Sequence, residues 1–311
     1  MALLYIENTK LLIQLAKVSD SQSSRPIVGG EVAGTGRGEM LFGVICIPFI
    51  CTAVLKHHLE NSNSSLSSLV LQNLYIDNAM LTSNDISEAL QWYPELKQLF
   101  GDAKMNIREF VSNSAAVRSE IPSEDRQEAE IVSVLGLTWN LNKDLVVMKL
   151  KEWYASKITK RSILQFLASH YDPLGFLVPV LLPWKLFTQG LWKAKVKWDQ
   201  DLPPELLQEW YKMKECWEAK EIILPRLISC TGNLELHLFV DASKHAYGLS
   251  IYCWNDVDGQ ISCNLIFAKS RLCPIKGLTI PRAELLAALI GVRALNFVRK
   301  QLKWENIPTF A

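Results

Sequence analysis

The sequence predicts a mixed protein, α+β or α/β in class, with two sheet-containing domains and a helical segment between them. Of its 311 residues, 49% are hydrophobic and 21% are charged, an ordinary globular composition with enough chain for two cores. Strand-like alternation and helical periodicity both recur along the chain. We predict a disordered tail or linker over residues 1–40, a first domain over 41–150, a helical connection over 151–229 and a second domain over 230–311.

The second domain has the clearest pattern. Apolar residues alternate with other residues from Leu234 to Val240, which is mostly the period of a strand, and the run ends at Asp241. Residues 246–254 and 260–269 read as two further strands, joined by a dipeptide, Asp258-Gly259, that is typical of tight hairpins. We therefore predict three antiparallel strands with a carboxylate at the rim of their sheet.

A long helix is predicted to follow these strands. It begins at Thr279 or Ile280, with Pro281 in its first turn and Glu284 near its start. We expect a broad apolar stripe of this helix to pack on the sheet. The residues of that stripe are Leu285, Leu289 and Val292, with Leu286, Ile290 and Phe297 beside them.

The N-terminal part of the chain gives weaker patterns. Residues 19–38 are rich in Ser and Gly, as flexible linkers are. Residues 40–55 contain no charged side chain, but they include Gly43 and Pro48. This run is also shorter than the ~20 residues that a membrane-spanning helix needs. We expect a buried core segment there and no association with a membrane.

Between these regions the sequence predicts alternating helices and strands. Pro94 lies inside one of the predicted helices and should bend or break it. Residues 120–130 hold five acidic side chains against Arg126, which favours a solvated acidic connector. The predicted helices cover residues 84–100 and 203–220, and the predicted strands cover 105–111, 131–139 and 145–150.

The most basic segment runs from Lys151 to Trp198. It holds eight Lys or Arg against two acidic residues, in a chain whose net charge is only +1. Lysine and arginine supply the phosphate contacts that dominate nucleic-acid affinity, and exposed aromatic rings can stack on bases. Ile163, Phe166 and Leu167 fall at helical spacing after Thr159, which favours core positions for most aromatic residues of the segment. The candidate nucleic-acid contacts are Lys160, Arg161, Lys193, Lys195 and Lys197, of which the last three are the stronger.

The seven cysteines include no Cys-x-x-Cys pair and are odd in number. This usage suits reduced thiols in an intracellular protein, cytoplasmic or nuclear, better than a disulfide framework. Cys46, Cys51, His57 and His58 have the residue types of a zinc site, but their spacing matches no known chelating pair. We interpret these cysteines as buried thiols.

The order of elements in the second domain resembles the first half of a ribonuclease H domain of retroelement type. The motifs that carry the resemblance are Asp241-Ala-Ser, Tyr247-Gly248 and Pro281-Arg-Ala-Glu-Leu-Leu-Ala-Ala. The resemblance implies that Asp241 and Glu284 belong to a set of about four carboxylates that hold two Mg²⁺ ions against the scissile phosphate. It also places the next strand of the family, with a further Asp, beyond Ala311. We therefore expect residues 234–240 to keep an unpaired edge.

The first domain resembles the palm of a reverse transcriptase, most clearly at Tyr75-Ile76-Asp77-Asn78. In detail, the likeness through residue 302 is to the pol polyprotein of Bel/Pao-type long-terminal-repeat retrotransposons. It implies a metal-binding role for Asp77, with Asn78 in place of the second Asp of a Tyr-x-Asp-Asp hairpin. An amide is neutral, so this exchange removes one charge from the metal cluster. We find no counterpart of the family's earlier Asp-bearing strand upstream of Leu41.

These resemblances imply a fragment with a partial palm, a helical connection and a truncated ribonuclease H-like sheet with its helix. We expect it to bind RNA, DNA or an RNA–DNA hybrid with little or no catalysis, because isolated carboxylates hold Mg²⁺ weakly. Two alternatives remain open. The chain could be the working polymerase and ribonuclease H portion of a pol polyprotein that other segments complete, or a non-enzymatic interaction protein.

Overall fold

The computed structural model describes residues 46–76, 78–83, 85–228 and 232–311, together with the backbone of residues 11–19. These residues form two compact units. The N-terminal unit comprises the described residues up to Val134 together with residues 140–144. The C-terminal unit comprises residues 135–139 and the described residues from Leu145 to Ala311.

The N-terminal unit combines one antiparallel sheet with four helices. Its sheet has the strand order β2-β3-β1-β4, and β1 is antiparallel to both of its neighbours. Ser64, Asp85 and Ser114 begin three of the helices by accepting a backbone N–H of the first turn. The elements are β1 (Leu11–Ser19), α1 (Ile47–Glu60), α2 (Ser65–Gln72), β2 (Leu74–Tyr75), β3 (Asn78–Ser83), α3 (Ile86–Asp102), β4 (Asn106–Ser112), α4 (Ala115–Glu120) and β5 (Ile131–Val134).

The strand β1 bears on two expectations, the disordered tail over residues 1–40 and the lack of a counterpart for the Asp-bearing strand. Residues 11–19 lie within the predicted tail, yet they form a strand inside the sheet, upstream of Leu41. The remainder of the predicted tail lies outside the described residues. Strand β1 has the sequence Leu-Leu-Ile-Gln-Leu-Ala-Lys-Val-Ser, which contains no acidic residue. Its partners β3 and β4 are some 60 residues or more away in sequence, so no local turn signal points to this pairing.

The core of the N-terminal unit lies where the helices meet the sheet. Leu55, Leu96 and Phe110 are fully buried in it. Helix α3 continues through Pro94 to Asp102, so the proline does not break the helix. The described part of the uncharged run, residues 46–55, is only partly core, because Cys51 and Leu55 are buried whereas Phe49 is exposed.

The acidic segment 120–130 contains one side chain that is not solvated. Asp125 is buried and accepts a hydrogen bond of 2.7 Å from the Tyr93 hydroxyl, and it pairs with Lys97 at 2.8 Å. Burial, followed by the hydrogen bond to Asp125, raises the pKa of Tyr93 above its ordinary value. Two backbone hydrogen bonds join Phe110 of β4 to Asp125 and Gln127. The prediction of a fully solvated connector is therefore wrong at Asp125, which ties the segment to α3.

The C-terminal unit contains two sheets and four helices. One sheet includes the neighbours β6-β7-β8, and the other has the strand order β11-β10-β9-β12. The predicted strand 131–139 is interrupted by a turn at Leu135 and Gly136, whose φ values of 49° and 83° are left-handed. The elements are β6 (Leu137–Asn140), β7 (Leu145–Lys149), α5 (Lys160–Ala168), α6 (Val178–Lys193), α7 (Pro204–Glu215), β8 (Glu221–Pro225), β9 (Asn233–Ala242), β10 (Ala246–Val257), β11 (Gln260–Leu272), α8 (Ile280–Leu302) and β12 (Thr309–Phe310).

The predicted meander is confirmed by β9, β10 and β11, which pair antiparallel in sequence order. Asp258 and Gly259 form the hairpin turn with φ values of 52° and 82°. The predicted unpaired edge of β9 is only partly present. Strand β12 pairs in parallel with Leu236 and His237, and within the described residues the rest of that edge has no strand beside it.

Helix α8 packs on this sheet through a different face from the one predicted. The residues that it buries are Ala283, Ala287, Gly291, Leu295, Val298 and Leu302. A Cβ atom at Gly291 would lie 2.5 Å from the Val240 side chain, so the small residues let the helix approach β9 closely. The predicted stripe is exposed at Leu285, which is 71% accessible, and at Val292, which is 50% accessible. Only Leu286 and Ile290 of the predicted set are half-buried and pack against the core.

Helices α5, α6 and α7 enclose an aromatic core. The Phe166 ring meets the Trp184 ring edge-on at 5.4 Å, and Trp184 meets Trp210 in the same way at 5.0 Å. Edge-to-face contacts of this kind stabilise aromatic pairs beyond the area that they bury. The expectation that most aromatic residues of the basic segment belong to a core is thus confirmed for the rings of α5 and α6 that face inward.

Candidate nucleic-acid interface

Three of the predicted contact lysines lie at and beyond the C-terminal end of α6. The helix ends in a Schellman motif, in which Lys195 donates its backbone N–H to the Trp192 carbonyl at 3.0 Å and Val196 donates to Leu191 at 3.1 Å. Val196 and Leu191 are both buried in the aromatic core, and this anchors the turn. Lys193, Lys195 and Lys197 therefore project into solvent from a fixed backbone.

The start of α6 is held equally firmly. Asp172 accepts the backbone N–H groups of Phe176 and Leu177, each at 2.8 Å. Burial raises the pKa of the Asp172 carboxyl, and these backbone hydrogen bonds act in the opposite direction. This clamp orients the helix whose far end carries the three lysines.

Lys160 is not a free cation. It is buried, and its ammonium nitrogen lies 4.7 Å from the ring centre of Trp192 and 4.9 Å from that of Trp198. Distances of this size are those of cation–π interactions. The two indole rings are themselves nearly perpendicular, with centres 5.8 Å apart. The side chain thus joins the first turn of α5 to the end of α6.

Arg161 is also engaged. Its guanidinium group donates two hydrogen bonds to Asp199, from Nε at 2.7 Å and from Nη2 at 3.0 Å. This pairing holds the pKa of Asp199 below its ordinary value and that of Arg161 above it. The backbone N–H of Arg161 donates to the Trp198 carbonyl at 3.0 Å. Of the five predicted contacts, Lys160 and Arg161 therefore already have partners within the protein.

Trp192 and Trp198 were not selected from the sequence. Of the ten tryptophans, all of which the structure describes, these two are the ones that are exposed, at 40% and 44%. Their positions in the sequence do indicate exposure. Trp192 directly follows Leu191, which faces inward on α6. Trp198 lies between the charged residues Lys197 and Asp199 and belongs to no helix.

The two predicted ribonuclease H carboxylates are both exposed. Asp241 lies near the end of β9, where its carboxylate accepts the backbone N–H of Ala242 at 2.8 Å. It lines a surface pocket of about 410 Å³ together with Ser243, Gly248 and Lys269. Glu284 lies in the second turn of α8 and does not line this pocket.

The described residues do not fit a magnesium centre. Among them, no three His, Cys, Asp or Glu side chains gather closely enough to hold a metal ion. Mg²⁺ demands near-octahedral oxygen coordination and depends on carboxylates together with substrate phosphates. Asp77, the predicted metal ligand of the first domain, lies outside the described residues. Its neighbours Tyr75 and Asn78 pair across the β2–β3 hairpin.

The segment that carries α5, α6 and the β9–β11 sheet can be compared with known families. Residues 159–311 match the Pao retrotransposon-like RNaseH-like domain. The matched Pao region begins at Thr159, the N-cap of α5, and so includes both the basic segment and the Asp241–Glu284 elements. No curated protein matches the chain. The mixed α+β fold class predicted from the sequence is confirmed.

Residues 159–311 are thus similar to the RNase H-like region of Pao retrotransposons. RNase H-like domains bind nucleic acids and generally use Mg²⁺. Within the part of the chain that the structure describes, no helix is both long and apolar enough to cross a membrane.

Proposed function

We propose that this chain is a retrotransposon-derived reverse transcriptase and ribonuclease H fragment that binds nucleic acid and does not catalyse polymerisation or hydrolysis. One observation carries the binding. Three exposed lysines project from the fixed end of α6 inside the Pao RNase H-like region. Within the described residues none of their ammonium groups has a carboxylate within 4.0 Å. Unpaired cations of this kind are available to neutralise phosphates.

The absence of catalysis is proposed from the metal-binding side chains that this chain supplies. Asp241 and Glu284 are the two carboxylates that the ribonuclease H resemblance assigns, and neither belongs to a cluster of three or more possible metal ligands among the described residues. Two-metal hydrolysis depends on ions that clamp both the attacking and the leaving oxygen. A pair of exposed carboxylates would hold such ions weakly, because each ion needs several oxygen ligands.

A palm-like origin of the N-terminal unit is part of the same proposal. The hairpin of β2 and β3 carries the Tyr75-Ile76-Asp77-Asn78 motif, and an earlier strand, β1, lies beside β3. This is the neighbourhood in which a polymerase would keep its metal-binding carboxylates. Strand β1 brings none, since its nine residues include neither Asp nor Glu. The arrangement supports descent from a palm without its chemistry.

The binding proposal is tested by replacing Lys193, Lys195 and Lys197 together with Ala. We expect affinity for a labelled RNA–DNA hybrid, measured by fluorescence anisotropy, to fall at least tenfold at low salt. The slope of log affinity against log salt should become shallower by about 3, roughly one unit for each lost phosphate contact. The matched control replaces three exposed lysines of α7 and its C-terminal loop, Lys212, Lys214 and Lys220, and so has the same change in charge. An equal effect of both triple variants would refute a localised site.

The catalytic half is tested on the same hybrid with Mg²⁺ or Mn²⁺. We expect no cleavage by the 311-residue chain and no nucleotide addition to a primed template. Cleavage that disappears in an Asp241→Asn variant would overturn the proposed inactivity and would favour a working enzyme. Cleavage that persists in that variant would point to a contaminating nuclease.

A further inference from the structure

We propose that Trp192 and Trp198 form a stacking platform for single-stranded nucleic acid, with Lys193, Lys195 and Lys197 contacting its phosphates. This inference rests on the nucleic-acid binding proposed above. It adds the form of nucleic acid that is bound and the contact that selects it.

The first support is the exposure of two large aromatic rings at one place. Every other tryptophan of the chain is buried or half-buried, and the core of α5, α6 and α7 takes up the neighbouring Trp184 and Trp210. Trp192 also lines an apolar pocket of about 500 Å³ with Leu164, Leu272 and Ile275. An unpaired base has two apolar faces, and both kinds of surface can receive it.

The second support is that the rings are already held in place. The Lys160 ammonium group lies against both rings, and Trp198 is fixed through its carbonyl by the Arg161 backbone N–H. A side chain that is ordered before binding loses less conformational entropy when the ligand arrives. Stacking on this pair therefore requires little rearrangement of the protein.

The third support is the local charge. Lys193, Lys195 and Lys197 occupy alternate positions between the two tryptophans, and the nearest acidic residue in sequence, Asp199, is bound to Arg161. The patch therefore has a positive net charge around two aromatic faces. Alternation of cations and rings suits a strand whose phosphates and bases alternate.

The backbone conformation of Lys195 supplies matched controls for the test. Its φ of 54° lies in the left-handed region, where glycine is the least strained residue. Lys104 and Lys303 occupy the same position at the ends of α3 and α8, with φ values of 60° and 57°. These two lysines lie at the same kind of helix end without an exposed tryptophan pair beside them, and so they provide matched controls.

A base-paired duplex offers no such contact, because its bases are already stacked inside the helix. Lysines contact the phosphates of either form. The platform therefore predicts that tryptophan changes affect single strands selectively, whereas lysine changes affect both forms.

The test compares the full chain with a Trp192→Leu/Trp198→Leu variant. Anisotropy is measured with a labelled 20-nucleotide oligothymidylate and with a hairpin duplex of equal charge. We expect single-strand affinity to fall about 5- to 150-fold, the range for losing one base–aromatic stack. Duplex affinity should change less than twofold. A Trp192→Phe/Trp198→Phe variant should retain most single-strand binding, and Tyr154→Leu/Tyr211→Leu, at two other exposed aromatics, should change neither affinity.

A second variant separates binding from folding. Lys195→Gly should raise the midpoint of thermal unfolding by about 2 °C, because it relieves a left-handed residue. It should nevertheless weaken single-strand binding, since it removes one ammonium group from the patch. Lys104→Gly and Lys303→Gly should give similar stabilisation and leave binding unchanged. Weaker binding by a more stable protein cannot be attributed to misfolding.

The outcomes distinguish this inference from the proposed function. If the triple lysine variant weakens both forms while the tryptophan variant changes neither, the platform is refuted and nucleic-acid binding stands. If the unmodified chain binds neither form, both proposals fail. A chain that binds the duplex as tightly as the single strand, with the same loss in the tryptophan variant, also overturns the platform.

Discussion

Two groups of basic side chains belong to the same short basic segment and have opposite roles. Lys160 and Arg161 begin α5, where one lies against two indole rings and the other is paired with Asp199. Lys193, Lys195 and Lys197 surround the end of α6, and none of them has an ion pair among the described residues. A count of charges treats all five alike. The structure shows which cations are already engaged.

The difference follows from the opposite partial charges at the two ends of a helix. The N-terminal end of a helix carries a partial positive charge, so cations there are unfavourable unless another group compensates them. Lys160 and Arg161 occupy the first two positions of α5, and each has found a tertiary partner. The C-terminal end of a helix favours cations. Lys193 in the last turn of α6, and Lys195 and Lys197 just beyond it, therefore need no partner and remain available to a ligand.

Among variants that test this comparison, we expect the largest effect on stability for Lys160→Ala. Removal of the buried stem and of the cation–π contacts should lower the free energy of unfolding by about 2 kcal/mol. The measurement is a urea titration followed by tryptophan fluorescence, which reports mainly on the C-terminal unit because nine of the ten tryptophans belong to it. Lys160→Met, which keeps an apolar stem, should lose less. Unchanged stability in both variants would mean that Lys160 is as dispensable as a surface lysine.

A smaller effect on stability is expected from His170, in the same basic segment, as the pH falls. Its Nε2 accepts the Lys151 backbone N–H at 3.0 Å, so Nδ1 carries the proton that is donated to the Phe166 carbonyl at 2.8 Å. Burial lowers the pKa of His170, so below the unfolded value of about 6.5 the unfolded chain binds more protons than the folded one. Stability should therefore be complete above that pH. It should decline below it, by at most about 1.4 kcal/mol per pH unit.

Urea titrations at pH 7.5 and 5.5 measure this decline. His170→Gln keeps an acceptor for Lys151 but cannot become charged, so the difference between the two pH values should shrink. A difference of the same size in wild type and variant would assign the pH dependence to other groups.

The smallest effect is expected for Arg161→Ala. Its ion pair with Asp199 is fully exposed, and pairs of that kind contribute little because solvent screens them. The unfolding midpoint should stay within the scatter of the measurement. A clear loss of stability would show that the bidentate pair matters to the junction of α5 and Trp198 more than exposed pairs generally do.

A similar contrast separates the carboxylates. Asp125 belongs to an acidic run that suggested a solvated connector, yet it is buried with Tyr93 and Lys97 as partners. Asp241 was selected as a catalytic candidate, and its side chain is exposed, with a hydrogen bond to its own neighbour Ala242. Local sequence did not distinguish them, because the partners of Asp125 lie about 30 residues upstream on α3.

Sequence alone determined those features that depend on near neighbours. The meander of β9, β10 and β11, its Asp258-Gly259 turn, the Thr159 cap of α5 and the start of α8 at Ile280 all follow from local dihedral preferences and periodicity. The likeness to a retroelement ribonuclease H also came from short motifs, and it agrees with the family match over residues 159–311.

Tertiary structure decided the features that depend on distant partners. Over its first three turns, helix α8 buries small residues rather than Leu285 and Leu289, because Gly291 lets the backbone approach Val240. Strand β1 enters a sheet whose other strands follow dozens of residues later. Trp192 and Trp198 remain exposed because Lys160 and the turn at Lys195 hold them outside the core. The periodicity of the sequence shows which face of a helix or strand is apolar. Which face is buried depends on how closely the backbones approach and on pairing between residues far apart in sequence.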